Sequence, residues 1–173
     1  MDTIPLLFSL LLSVLMTVAF FFDLTRYILP NWLNLLILLL YPVFVLLAPV
    51  TPDWPMALAG LGVMFLGGFA LYFFHLMGAG DIKLLMVLAV WCGWSQTLLL
   101  LILYTALLGG ALAVGAFAAR LMVPGLLARW NKETPLPRFL TYGEPIPYGM
   151  AISVAFLILL WTDKVKGLGA PVL

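Results

Sequence analysis

Long apolar stretches alternate with short polar breaks along the whole chain, and each stretch is continuous rather than alternating. A helix needs about 20 apolar residues to cross a bilayer, whereas a strand of a membrane barrel is apolar only at every second position. The pattern therefore predicts an all-α, polytopic membrane protein with about six transmembrane helices. The predicted spans are residues 5–22, 32–50, 55–75, 82–94, 97–119 and 146–162.

Composition supports a membrane protein and excludes several other classes. Of the 173 residues, 65% are hydrophobic and 9% are charged, and the mean hydropathy is +1.21. A soluble domain of this size has too little interior for so much apolar surface. The net charge of +1 gives no reason to expect a nucleic-acid partner. Cys92 is the single cysteine, so neither a disulfide framework nor a cysteine-paired metal site is expected.

The basic residues predict an orientation, because cytoplasmic connections of membrane proteins are enriched in Lys and Arg. The first, third and fifth connections hold six basic residues, and the C-terminal tail holds two. We therefore expect the odd-numbered connections to be cytoplasmic and both termini to be non-cytoplasmic. The six are Arg26, Lys83, Arg120, Arg129, Lys132 and Arg138, and the two in the tail are Lys164 and Lys166.

Two acids, Asp23 and Asp81, fall on the predicted cytoplasmic side at similar depth. Ionisable groups at membrane depth are costly and usually functional. Two neighbouring carboxylates that share a proton can activate water and polarise a peptide carbonyl, as in aspartic proteases. The alternative from spacing alone is that each acid lies at the interface, Asp23 beside Arg26 and Asp81 beside Lys83.

The fourth predicted helix is short, and two glycines precede its acid. Residues 81–94 give about 21 Å of helix, against a hydrocarbon core about 30 Å thick, so Asp81 is expected to lie inside the membrane level. Gly78 and Gly80 are expected to leave open backbone beside Asp81, where backbone angles are free and another chain can approach closely. The alternative is that they only close a tight turn between helices.

Three blocks resemble one family. "GAGDIKLLMVLAVWCGW" is similar to the G-x-G-D block of the type IV prepilin peptidases, "DLTRYILPNWLN" to their first-aspartate block, and "EPIPYGMAISVA" to their late P-[FY]-G block. The blocks occur in family order and together span most of the chain. The size is most similar to the short peptidases of tight-adherence (Flp-type) pilus systems.

The resemblance implies a function and a set of residues. It implies an aspartic endopeptidase, without metal or cofactor, that removes the basic leader of a prepilin at the cytoplasmic face of the bacterial inner membrane. Membrane lipids and the pilus secretion machinery are the other expected partners. Asp23 and Asp81 would be catalytic, and Gly78, Gly80 and Lys83 would shape the site. The candidate substrate-positioning residues are Pro30, Asn31, Glu144, Pro147, Tyr148 and Gly149.

The resemblance also bears on domain organisation. Larger, bifunctional members carry a cytoplasmic domain with paired cysteines for zinc, and that domain accompanies N-methylation of the product. Here the segment between the first two predicted helices is short and Cys92 is alone. A single peptidase domain over residues 1–173, without methyltransferase activity, is therefore expected.

Two other functions stay open at this point. In a small proton- or cation-coupled transporter, Asp23 and Asp81 would relay protons or bind the cation. In a non-catalytic pilus-assembly factor, the protein would bind pilin helices between its own helices.

Overall fold

The structure, a computed structural model, describes residues 3–47, 53–129, 146–162, 164, 165 and 168, with side chains of the fifth helix described as far as residue 123. Within these residues every regular element is an α-helix, which confirms the predicted all-α class. The helices are α1 (Thr3–Arg26), α2 (Asn31–Leu47), α3 (Trp54–Phe73), α4 (Ala79–Cys92), α5 (Gln96–Arg129) and α6 (Tyr148–Trp161).

Three of these helices are long and apolar enough to cross a membrane: α1, α3, and α5 over Gln96–Val123. Two more, α2 and α6, are apolar but shorter. Many large apolar side chains on α1, α2, α3 and α5 face outward, as lipid-facing side chains do. These helices confirm a polytopic membrane protein.

Two predicted boundaries are wrong by several residues. The first helix continues past residue 22 to Arg26, where a cation is favourable at the negative end of the helix dipole. It stops because Tyr27 takes a left-handed conformation with φ 56°, and because Pro30 disfavours helix in the residue before it. The fifth helix continues past residue 119 to Arg129, although Pro124 and Gly125 in this stretch both disfavour helix.

The short α4 lies in the middle of the bundle. Nine of its 14 residues are buried, and α2, α3 and α6 pack around it. Gly60 lets α3 come close, because a Cβ there would lie 2.9 Å from the Ala89 carbonyl oxygen. A helix enclosed by protein does not have to match the thickness of the lipid, which explains how α4 can be only about 21 Å long.

Helices α1 and α6 run antiparallel and place the start of α6 against the end of α1. At one end the Met150 amide donates to Asp23, and at the other the Trp161 indole nitrogen donates to the Ser13 hydroxyl at 3.0 Å. Beyond α6, the Leu168 carbonyl accepts from the Ser9 hydroxyl at 2.8 Å. This pairing fixes the N-terminus of α6 beside the last turn of α1.

Candidate functional site

Asp23 and Asp81 border the same cleft, which has a volume of about 640 Å³. The cleft lies where the end of α1, the start of α2, the α3–α4 turn and the start of α6 meet. The two acids come from helices separated by more than 50 residues of sequence. The expectation that they lie on one side at similar depth agrees with this arrangement.

Asp23 is buried in the last turn of α1, with 4% of its surface exposed. Its Oδ2 accepts a hydrogen bond from the Met150 amide at 3.0 Å, and the Gly149 amide also faces its carboxylate. These amides belong to the first turn of α6, where backbone N–H groups have no partner within the helix. The positive end of the α6 dipole thus stabilises negative charge on Asp23.

Asp81 lies in the first turn of α4, and two helix N-termini face it. Gly78 is the N-cap residue of α4, and its amide interacts with the Asp81 carboxylate three residues later. This is half of a capping box, in which an acid satisfies the free N–H at the start of its own helix. The Gly149 amide faces Asp81 as well as Asp23. One backbone N–H therefore lies between the two carboxylates.

Gly78 and Gly80 have ordinary backbone angles and lie close to side chains of the site. Gly78 has ordinary extended angles, φ −70° and ψ 147°. Gly80 lies inside α4, because the helix begins at Ala79, earlier than predicted. A Cβ at Gly78 would lie 3.1 Å from Asp81 Oδ2. The approach of another chain to the backbone beside Asp81 stays a prediction.

Leu29 links the first turns of α4 and α6. It is buried in the short segment between α1 and α2. A Cβ at Gly80 would lie 3.4 Å from Leu29 Cβ, and a Cβ at Gly149 would lie 3.0 Å from Leu29 Cδ1. The two glycines therefore allow the starts of α4 and α6 to close on one leucine, which brings their amides to the aspartates.

The basic residues nearest to the acids have other partners. Lys83 Nζ donates to Asn31 Oδ1 at 2.9 Å, and the Arg26 guanidinium lies over the Phe22 ring, 5.0 Å from its centroid. The alternative that each aspartate pairs with the basic residue nearest in sequence does not describe this arrangement. The partners of the two carboxylates are backbone amides, which carry no net charge.

The remaining candidate residues have different positions. Asn31, Pro147 and Tyr148 line the cleft together with Gly78, Gly80 and Lys83. Pro30 precedes α2, and its carbonyl accepts from the Leu33 amide at 3.1 Å. Gly149 is buried against Asp23, where a Cβ would lie 2.8 Å from Oδ2. Glu144 lies outside the described residues.

Two polar residues of the cleft were given no role from the sequence. Tyr27 and His75 both line the cleft, and both have left-handed backbones with φ 56°. Such conformations are uncommon for residues other than glycine and concentrate at functional sites. The available signal was their position directly after an apolar helix, which many residues share. Within the described residues, no three His, Cys, Asp or Glu side chains form a group that could hold a metal ion.

Comparison with known proteins agrees with the three sequence blocks. Residues 10–114, which include both aspartates, match the model of the type IV leader peptidase family. The chain is 31% identical over 165 residues to the prepilin leader peptidase/N-methyltransferase of Aeromonas salmonicida strain A449, covering 91% of this chain and 50% of that protein. It is 37% identical over 90 residues to the protein of the same name from Pseudomonas aeruginosa PAO1, covering 51% of this chain and 24% of that protein. The chain thus spans half the length of the first relative and about a quarter of the length of the second. No solved structure gives a significant match.

Proposed function

Since the chain belongs to the type IV leader peptidase family, we propose that it is an intramembrane aspartic endopeptidase that removes the short basic leader of an Flp-like type IV prepilin. One observation carries the proposal. Asp23 and Asp81 border a single cleft, and the Gly149 amide faces both carboxylates. Peptide hydrolysis by an aspartate pair requires two neighbouring carboxylates that share one proton.

The proposed reaction uses water and the two carboxyl groups. The ionised aspartate takes a proton from a water molecule, whose oxygen attacks the carbonyl carbon of the scissile bond. The protonated aspartate donates to the carbonyl oxygen, so the intermediate is a neutral tetrahedral diol. Breakdown transfers a proton to the leaving nitrogen, and the C–N bond breaks. No step needs a metal or a cofactor.

We place the cleft at the cytoplasmic face of the bacterial inner membrane. Arg26 ends α1 and Lys83 is the fifth residue of α4, so both basic residues are at the cleft end of the bundle. Trp54 and Trp94 lie at the other end, where the Trp94 amide donates to the Met56 carbonyl at 2.7 Å. This distribution supports a cytoplasmic cleft, since basic residues favour that side.

We propose peptidase activity without N-methyltransfer, in one domain over residues 1–173. The relatives are named for both activities. Here only residues 27–30 join α1 to α2, and the single Cys92 is buried in α4. The segment of residues 27–30 holds no cysteine, and Cys92 has no second cysteine to pair with, whereas paired cysteines accompany methylation in the bifunctional proteins. Mass spectrometry of the mature pilin tests this: a free, unmethylated N-terminus is expected, and a mass increase of one methyl group that depends on this protein would contradict it.

Substitution of each acid by its isosteric amide tests the proposed function. Asp23→Asn and Asp81→Asn should each lower leader cleavage by about 10²–10⁴-fold or more, because acid–base catalysis contributes at least that much. Co-expression with Flp-like prepilins, followed by a gel shift, measures the cleavage. Asp53→Asn is the matched control, since Asp53 caps the far end of α3 through the Met56 amide at 3.2 Å and asparagine caps equally well.

The outcomes separate the proposal from its alternatives. Wild-type cleavage in Asp23→Asn or Asp81→Asn would exclude the aspartate mechanism. Pilus assembly without any leader cleavage would favour an assembly factor. Substrate-driven proton flux into vesicles, lost in the same two variants, would favour a transporter.

A further inference from the structure

A second cavity adjoins the catalytic cleft. It is a groove of about 500 Å³ between α1, α5 and α6. Tyr27, Ile146 and Pro147 line both the groove and the cleft, so the two spaces share a wall. A chain segment that leaves the cleft past these residues enters the groove.

The groove is lined almost entirely by apolar side chains, and small residues form one wall. Along α5, Ala111, Gly115 and Ala119 recur at every fourth position and line the groove on one helical face. Small residues at this spacing let the backbone of another helix come close within a membrane. On the opposite wall lie Met150 and Val154 of α6.

The groove lies at the level of Asp23 and extends along the helices in both directions from there. On α1 its lining residues, Phe20 and Leu24, flank Asp23. On α6 the lining begins at the N-terminus beside Asp23 and reaches Val154, two turns further along the helix. On α5 it begins next to Gly109, which packs on the Tyr148 ring, and extends over residues 108–119 towards the C-terminal end of that helix. The part that extends inward along α6, from Pro147 to Val154, has the length of about two turns of helix.

We propose that this groove binds the apolar helical segment of the substrate that adjoins the scissile bond, while the bond itself lies between Asp23 and Asp81. The inference rests on the proposed peptidase function. A lipid acyl chain would also satisfy an apolar groove, but the groove opens into a polar cleft beside the two acids. A substrate with a polar segment on one side of the scissile bond and an apolar segment on the other matches both spaces, with the polar segment in the cleft.

Two glycines of α5 provide a matched test. Gly115 lines the groove and Gly110 does not, and a Cβ at either position meets no atom within 4 Å. Leucine at either position should improve helix propensity equally, but only Gly115→Leu fills the groove. The substrates are a full prepilin and a peptide that ends a few residues after the cut, without the apolar segment.

Gly115→Leu should lower kcat/KM for the full prepilin by at least about tenfold relative to Gly110→Leu, since one large side chain blocks a close helix contact. Cleavage of the short peptide should stay within about twofold in both variants, because that peptide does not enter the groove. Equal cleavage of the prepilin by both variants would overturn the inference and leave the peptidase function intact. A wild-type protein that cleaves neither substrate would overturn the peptidase function itself.

A photo-cross-linking amino acid tests the same contact without turnover. It is placed at Leu112, which lines the groove, or at Val114, which is exposed elsewhere on α5. The background is Asp81→Asn, so that bound prepilin is not cut. The expected product is a cross-link from position 112 to the apolar segment of the prepilin and none from position 114. Cross-links from position 112 to lipid alone would overturn the inference.

Discussion

Gly149→Ala tests how tightly the start of α6 holds Asp23. The added methyl carbon would lie 2.8 Å from Asp23 Oδ2 and 2.9 Å from its Cγ, and Leu29 Cδ1 at 3.0 Å blocks the other side. Ordinary contact begins at 3.4 Å, so the carboxylate must move by about 0.5 Å. The Met150 amide, now 3.0 Å from Oδ2, would then be about 3.5 Å away, which is the limit of a hydrogen bond.

The expected loss of activity follows from this displacement. A misplacement of about 1 Å at a reacting group costs roughly 100-fold in rate, so about 0.5 Å should cost roughly tenfold or more. Folding should change much less. Alanine is about 1 kcal/mol better than glycine within a helix, which partly offsets an overpacking cost of about 1–3 kcal/mol. The variant should therefore remain folded and lose activity.

The assay is kcat/KM for prepilin cleavage in detergent, with thermal unfolding of the same preparations. Gly110→Ala is the control, because its new methyl group meets no atom within 4 Å. It should match the wild type in both measurements. A Gly149→Ala protein with wild-type kcat/KM would refute the argument that the α6 amides position Asp23. If Gly149→Ala shows the expected loss of kcat/KM but also unfolds at a much lower temperature than the wild type, the loss results from disrupted packing.

Three further changes have distinct expected outcomes. Cys92→Ala should leave cleavage within about twofold, and zinc chelators should have no effect, because Cys92 is buried without a metal-binding group near it among the described residues; chelator inhibition reversed by zinc would contradict this. Lys83→Met and Asn31→Ala both remove the same hydrogen bond of 2.9 Å, which is worth about 1 kcal/mol. The losses of kcat/KM in a double-mutant cycle should therefore be non-additive. Additive losses would show that this bond does not contribute to activity. Gly60→Ala should lower the unfolding temperature, since its Cβ would lie 2.9 Å from an α4 carbonyl oxygen, whereas Gly62→Ala has open space and should not; equal unfolding temperatures would contradict the close α3–α4 packing.

The fold could be predicted from the sequence because each helix is encoded locally. Continuous apolar runs bounded by Pro, Gly and Asn predict the number and the approximate limits of the helices. The ends were less predictable. Tyr27 ends α1 through a left-handed backbone, and nothing in its side chain indicates that conformation. The central position of α4 was also not predicted, since an apolar run has the same appearance whether it faces lipid or protein.

The site could be predicted only where it depends on the type of a single side chain. Asp23 and Asp81 were recognisable because acids are rare in such a chain. The donors that face them were not, because a backbone amide belongs to every residue, and only the packing of α6 against α1 selects those of Gly149 and Met150. Gly149 entered the prediction as a residue that positions substrate, whereas in the structure it packs on Asp23.

Charge and apolarity are separated between the two adjoining spaces, and this separation bears on substrate orientation. The cleft holds the ionisable side chains of Asp23, Asp81 and Lys83, and uncharged backbone amides face the two acids. A basic leader is excluded from hydrocarbon, whereas a cleft with ionisable side chains can accept it. The groove beside it accepts only apolar residues. A precursor with its basic and apolar parts exchanged would place each part in the wrong space, so the pair of spaces selects one direction of the chain across the aspartates.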